Sequence, residues 1–456
     1  MLEVRSKGVL SDCMMIKRLT WLQVFMALYL VILGQGATIE NNDGVLGLKF
    51  RPYAGNSYKI CASSDLLSWC HVETVRGDRQ VTWPVPANEL LYKKRFYCVE
   101  RVVAVGLDNL TNWTAYQSEP VERYCIGLLG DSYTHDRERY AKKLKQNLTA
   151  VYGNLGAGYL GFAYVIGSGA NGSIDQTELH YSITNSQWMV QYGSGYGPEA
   201  CHVTSAVTNA HIDVQVLKTV DTMKIYYADK LGTTGFKYRI QTGGWTAVAT
   251  DGPLAFKVKS IDLAEHSAPY TVEIETTGVG VSLTGVETVI SGDGVVVHKL
   301  GATGKRAIHF MDNSLNRAAL KELDLDMAIV MFGTNEQLIN QTPLSFKSAL
   351  ENIVDKLRQD RPGMDIALTL PCYTKYELES PRTYKLHDYG QVMRQVAVEK
   401  GAAYFDFTEV FGPAEKLQKL IDTGLMGADR IHPTSGLNSG GHLMADTITR
   451  SVLLVP

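Results

Sequence analysis

Three short segments of this chain carry side chains suited to acyl chemistry, and they lie far apart in sequence. In Leu129-Gly130-Asp131-Ser132-Tyr133-Thr134 a serine follows the apolar run Ile126–Leu129. A serine at the C-terminal end of a strand, on the turn into a helix, presents its hydroxyl and its backbone N–H in the crevice where open α/β sheets bind ligands. The same tripeptide also makes ordinary turns and helix N-caps. Phe332-Gly333-Thr334-Asn335-Glu336 follows a second apolar run. Asn335 there could donate its side-chain N–H to a developing oxyanion, or simply satisfy backbone groups of a strand-to-helix loop. Near the C-terminus stands Asp429-Arg430-Ile431-His432-Pro433. A hydroxyl is a weak nucleophile at neutral pH and needs an adjacent base, and that base needs a group to fix its tautomer and balance its charge. Asp429, three residues before His432, can do this within a compact turn. Each segment alone has an everyday structural reading; together they specify a nucleophile, an oxyanion donor and a base with its partner.

The ordered set Gly-Asp-Ser, Leu-Gly-Ala-Thr-Gly (residues 300–304), Gly-Thr-Asn-Glu and Asp-Arg-Ile-His-Pro resembles the SGNH (GDSL-like) hydrolase family, whose four blocks supply Ser, Gly, Asn and His in that chain order. The resemblance implies a catalytic triad of Ser132, Asp429 and His432. It also implies an oxyanion hole from the Ser132 backbone N–H, a Gly304 backbone N–H and the Asn335 side chain. Gly301 competes with Gly304 for the second role; the family's glycine sits at the end of such a stretch, which favours Gly304. Glu336 stands where many members have Asp. Such chemistry requires no metal or organic cofactor. A β insertion between the first and second blocks resembles SGNH esterases that remove O-acetyl groups from polysaccharides, which implies an O-acylated carbohydrate substrate. A lipid or small ester, and a glycan-binding adhesion or phage tail component, are the alternatives.

Around these segments the texture of the chain changes three times. Residues 38–124 read as short β-like pieces broken by Gly, Pro and Asn, a small β-rich N-terminal domain. A strand, tight turn and helix open at Cys125, with helical spacing over Arg137–Tyr152. From about Ile174 to Ile290 the pattern alternates at period two, as in Tyr270-Thr271-Val272-Glu273-Ile274, which predicts a β-sandwich. After Gly301 the α/β texture returns, with buried strands at Met327–Phe332 and Ile366–Leu370 and helices at Ser345–Gln359 and Leu386–Lys400. The expected architecture is a three-layer α/β/α SGNH-type domain with a parallel sheet, built from residues 125–174 and 296–456 and interrupted by a sandwich at 175–295. The segment Tyr152–Tyr159 looks like the Gly-rich stretch such enzymes carry after the first helix; from its residues alone it is a flexible loop. Trp188, Tyr192, Tyr196 and Trp245 could stack on sugar rings, although aromatics in a β-domain are more often core. His135, His202 and His442 read as structural or exposed.

The bulk properties narrow the class. At 456 residues the chain exceeds a single core, and with 45% hydrophobic and 20% charged residues it is an ordinary globular composition. A formal charge of −3 and the lack of a long basic run argue against nucleic acid as a partner. Lys17 and Arg18, an apolar run over Leu19–Leu33 and the small residues Gly34–Ala37 have the layout of a secretory leader over residues 1–37, with an uncleaved anchor or buried helix as the alternative. The expected location is therefore outside the cell, periplasmic or on the cell surface, or, for the phage alternative, the virion tail. Of the seven cysteines, Cys61, Cys70, Cys98 and Cys125 cluster before the first motif, so one or two disulfides are expected there. No spacing suits a structural zinc. The sequence carries no signal of oligomeric state.

Overall fold

The computed structural model describes residues 104–164, 172–378 and 382–453, and between residues 15 and 102 backbone strands. There Thr38–Asn42, Val45–Phe50 and Val81–Pro84 pair in one small sheet, and Tyr29–Val31, Met15–Lys17, Phe96–Val102, Asn56–Ser63 and Cys70–Gly77 pair in that order in another. Of the leader expected over residues 1–37, only the strands Met15–Lys17 and Tyr29–Val31 are described, paired antiparallel with each other, and Met15–Lys17 also pairs with Phe96–Val102; the rest of it lies outside the described residues. Among the described residues no helix is long and apolar enough to cross a membrane. The chain divides into two compact units. One comprises residues 106–404 with 411–449 and holds every residue of the candidate site; the other comprises residues 1–105, 405–410 and 450–456.

Strand β1 (Arg123–Gly130) leads through the single-turn helix α1 (Ser132–His135) into helix α2 (Ala141–Tyr152). Its residues from Tyr124 to Gly130 are all buried, the mark of a strand covered on both faces. The strands of the insert follow: β2 (Gly158–Gly161), β3 (Leu179–Ile183), β4 (Trp188–Tyr192), β5 (Cys201–Ser205), β6 (His211–Val216), β7 (Thr222–Asp229), β8 (Phe236–Ile240), β9 (Thr246–Val248), β10 (Ala255–Asp262), β11 (Tyr270–Thr276) and β12 (Ser282–Val289). The chain returns through β13 (Gly294–Gly301), helix α3 (Ser314–Glu322), β14 (Met327–Met331), the short helix α4 (Thr334–Leu338), helix α5 (Pro343–Asp360), β15 (Asp365–Leu370) and helix α6 (Leu386–Lys400).

Strands β13, β1, β14 and β15 lie in that order and pair in parallel. The segments that carry Ser132, Gly304 and Asn335 therefore leave the same end of neighbouring strands, as ligand sites in open α/β sheets require. The intervening helices form for local reasons. In α5, Thr342 caps the N-terminus by accepting from Ser345 N, Pro343 fills the first turn, and Phe346, Leu350, Ile353, Val354 and Leu357 make one buried face. In the insert, β4-β5-β12-β7-β10 form one antiparallel sheet and β3-β6-β11-β8-β9 the other. Along β11, buried and half-buried residues alternate without a break, with Val272 and Ile274 fully buried.

The insert begins earlier than the periodicity suggested. Gly158–Gly161 pairs antiparallel with β12, so the Gly-rich segment is the packed crossing between the two parts and no flexible loop. A Cβ at Gly156 would press on the Thr288 carbonyl, and one at Gly158 on the Val297 carbonyl. A buried charge cluster reinforces the crossing. Glu287 of β12, with no exposed surface, meets Arg123 of β1 at 2.5 Å, Tyr226 Oη at 2.5 Å and Lys224 at 3.2 Å. Cys125, Cys201 and Cys372 are buried free thiols. Cys125 thus leaves the disulfide cluster expected of it, because it sits buried inside β1 as a free thiol. Cys61, Cys70 and Cys98 lie where no side chain is described.

Candidate active site

Ser132 owes its position to two residues before it. Gly130 ends β1 where any side chain would strike Thr134 and the Met331 carbonyl, so the strand can turn tightly. Asp131 then caps α1, its carboxylate accepting from Tyr133 N at 2.9 Å while its carbonyl accepts from Thr134 N and His135 N. The Arg139 guanidinium donates to the Ser132 carbonyl. Burial pushes the Asp131 carboxyl up to about 7, against the pull of the Tyr133 N–H.

His432 arrives on a loop that folds upon itself. Asp429 Oδ1 accepts from the N–H groups of Ile431 and His432, each at 3.0 Å, an Asx-type turn in which Arg430 takes a left-handed φ of 60°. Gly427 N donates to the His432 carbonyl at 2.8 Å. Tyr133 Oη donates to the Ile431 carbonyl at 2.5 Å and Lys375 N to the Arg430 carbonyl at 2.8 Å, anchoring the loop to the sheet end. The second oxygen of Asp429 lies 2.6 Å from His432 Nδ1, and His432 Nε2 lies 2.8 Å from Ser132 Oγ. With the carboxylate accepting from Nδ1–H, the Nε2 lone pair faces the serine hydroxyl. Burial, assisted by the nearby Arg139 charge and opposed by Asp429, holds His432 below its ordinary value and therefore neutral. Partial burial raises the Asp429 carboxyl, but the Ile431 and His432 donors outweigh it and bring it below the usual range.

Asn335 lies beside the serine turn, yet not with a free donor as expected. Its Nδ2 donates to Asp131 Oδ2 at 3.1 Å and to the Lys305 carbonyl at 2.9 Å. The next residue, Glu336, is buried and staples two loops, accepting from Gly333 N at 2.9 Å and Ala307 N at 2.7 Å; burial pushes it up to about 7 in spite of those donors. The two competing glycines take different roles. Gly301 is buried against the backbone of Thr134 and His135, with no room for a side chain. Gly304 is exposed at a φ of 73°, on the turn closed by Lys305 N donating to the Ala302 carbonyl.

Of the aromatic residues considered for sugar contact, Trp188 is buried and donates towards the His211 carbonyl, so it serves the core. Tyr196 stacks on His202 at 4.2 Å. Trp245 is partly exposed, with Lys237 and Arg239 over its ring at 4.7 and 4.5 Å. His135 and His202 are buried and His442 is half-buried. Sequence reasoning allowed a helix N-cap within Gly-Asp-Ser without assigning it to Asp131, and missed Arg139 as a brace of the Ser132 turn. The first was readable, since Asp directly before a helix start is a capping signal; Arg139 is one of several charges in Asp136–Arg139 and carried no such signal.

Residues 282–436 match the GDSL-like lipase/acylhydrolase family. The matched span omits Ser132, because the insert separates the first segment from the rest. Among solved structures, one described as "Peptidoglycan O-acetylesterase in action, 5 min" superposes with a TM-score of 0.60 at 16% identity, covering 76% of this chain and 95% of that one. A family two carbohydrate esterase from Cellvibrio japonicus is more distant, with a TM-score of 0.25 at 11% identity over 60% of this chain and 98% of that one. No curated protein matches by sequence.

Proposed function

The chain carries a GDSL-like acylhydrolase domain of the SGNH type, and from that premise we propose that it is an exported serine ester hydrolase that removes O-acetyl or other short acyl groups from a polysaccharide. The observation that carries the chemistry is the unbroken relay Ser132 Oγ, His432 Nε2, His432 Nδ1, Asp429 Oδ2, with links of 2.8 and 2.6 Å. Ser132 Oγ attacks the ester carbonyl while neutral His432 takes its proton; Asp429 stabilises the imidazolium that forms. His432 then protonates the departing sugar hydroxyl as the tetrahedral intermediate collapses to an acyl-serine. Water, deprotonated by His432, releases the acid and regenerates the serine.

In this reading the oxyanion is met by the N–H groups of Ser132 and Gly304 and by Asn335 Nδ2. For Asn335 this means exchanging or sharing the contact with Asp131. That exchange is cheapest when Asp131 holds its proton, because a neutral carboxyl is a weaker acceptor than a carboxylate. The polysaccharide assignment is supported by the likeness in fold to the peptidoglycan O-acetylesterase structure and by the sandwich inserted beside the site. Release of acetate from p-nitrophenyl acetate and from a panel of O-acetylated polysaccharides, by the wild type and by Ser132→Ala, tests it. Loss of at least about 10⁴-fold in the variant is expected. Release from aryl or lipid esters alone would replace the polysaccharide reading, and release that survives in Ser132→Ala would overturn the mechanism.

A further inference from the structure

The inserted sandwich reaches the catalytic loops through one side chain that the mechanism above does not use. Tyr192 ends strand β4, and its hydroxyl accepts from Thr303 N at 3.2 Å and lies 2.9 Å from His135 Nδ1. Thr303 belongs to the turn that carries Gly304, and His135 is the last residue of the helix that begins with Ser132. The other hydrogen-bond partner of the His135 ring is the Gly301 backbone.

The donor and acceptor pattern closes only one way. Burial, reinforced by the Lys299 charge, holds His135 down to about 3, so the ring is neutral and has one donor and one acceptor nitrogen. The Gly301 carbonyl takes the donor, which leaves Nδ1 to accept the Tyr192 O–H, while the Tyr192 oxygen accepts the Thr303 N–H. The result is a cycle from Gly301 through His135 and Tyr192 back to Thr303 that brackets three residues of the loop. The Lys305 ammonium lies 5.7 Å from the centre of the Tyr192 ring, and Gly193 has no side chain because the Lys305 chain fills that space. From the opposite side the same loop is held by Asn335 on the Lys305 carbonyl and Glu336 on Ala307 N.

We propose that Tyr192 is a positioning residue for the oxyanion loop: through its hydroxyl the insert fixes residues 301–305 against the Ser132 turn. The sandwich is then a structural part of the catalytic site, whatever it does with glycan. Donors must sit within tenths of an ångström of the developing charge to be effective, and a misplacement of about 1 Å can cost about 10²-fold in rate. This inference rests on the esterase reading, and its test is built to separate the two.

The test compares wild type with Tyr192→Phe on p-nitrophenyl acetate, a substrate with no sugar to contact. Turnover by the wild type secures the esterase reading first; if the wild type is inert both on this ester and on the polysaccharide panel, that reading fails and hydrogen exchange alone decides the role of Tyr192. With an active wild type, kcat is expected to fall about ten- to hundredfold while KM stays within about twofold, and the midpoint of the acidic limb of the pH profile stays in place because Tyr192 does not touch His432. Hydrogen exchange gives a readout independent of activity: a peptide spanning residues 299–306 should exchange faster in Tyr192→Phe, with peptides from β6 and β11 unchanged. Unchanged kcat, unchanged exchange in that peptide, or faster exchange throughout the sandwich would each overturn the proposal. So would a defect that appears only as a raised KM on polysaccharide, which would make Tyr192 a glycan contact instead.

Discussion

The proposed nucleophile and its proposed base are held in unlike ways. Ser132 is 7% exposed and Asp131 1%, fixed by a strand end, a cap and loops that Asn335 and Glu336 tie down from long range. The Asp429 and His432 side chains are 48% and 21% exposed, and their geometry is largely made within residues 427–433. One half is built by tertiary structure around buried carboxyls pushed up to about 7; the other is a local turn whose carboxylate stays ionised near solvent. The contrast follows from the chemistry. The oxyanion side must present dipoles that do not reorient, which a buried network secures. The base must remain titratable and in contact with water for the second half of the cycle.

The sharpest way to break this comparison is Asp429→Asn. Asn can keep the Oδ1 contacts to Ile431 and His432, so the turn should persist while the charge opposite Nδ1 is gone. A fall in kcat of about 10³–10⁴-fold with an unchanged melting temperature is expected; a loss of structure would show that the turn depends on the charge. Asn335→Ala should cost less in rate, about 10²–10³-fold in kcat, but should also lower the melting temperature, since it leaves the partly buried Lys305 carbonyl without this donor. An effect on rate alone would place Asn335 with the local half.

The smallest effects are those of pH, and the two halves should give opposite trends. His432 must be neutral to accept the serine proton and is held below its ordinary value of 6.5. The acidic limb of kcat/KM should therefore have its midpoint below 6.5 and flatten by neutrality. Glu336 shifts the other way, from 4.5 to about 7. The native state keeps this proton where the unfolded chain has released it, so the contribution to stability is full below pH 4.5, declines as pH rises, and is lost above about 7. The difference in melting temperature between wild type and Glu336→Gln, followed from pH 4 to 8, should move against the wild type across that window. A flat difference would show that Glu336 is not held protonated.

What the sequence revealed follows the same division. Helix α6 runs over the residues its periodicity implies, Leu386–Lys400, and the buried strands β14 and β15 appear within one residue of their apolar runs. The Asp429 and His432 pair was legible because a turn of four residues is local. The double engagement of Asn335 was not, since Asp131 and Lys305 reach it across 204 and 30 residues. Gly158–Gly161 escaped notice as a strand because two glycines in four residues show no period. Tyr192 reads from the sequence as a sugar platform or a core side chain, for nothing in an aromatic side chain on a β-strand foretells a histidine 57 residues away.

The buried Glu287 has a consequence for anyone wishing to dissect or graft this enzyme. It belongs to the insert, whereas Arg123 belongs to the parallel sheet, so deleting the sandwich would strip a largely buried guanidinium of its counter-charge, at a cost of about 3–5 kcal/mol. A minimal hydrolase cannot be made by excision alone: Arg123 would need an apolar replacement in the same step. The reverse transplant fails for the same reason, since the sandwich moved to another scaffold would carry a carboxylate in its core with one cation missing. The two parts are not interchangeable modules but co-dependent halves of one folding unit.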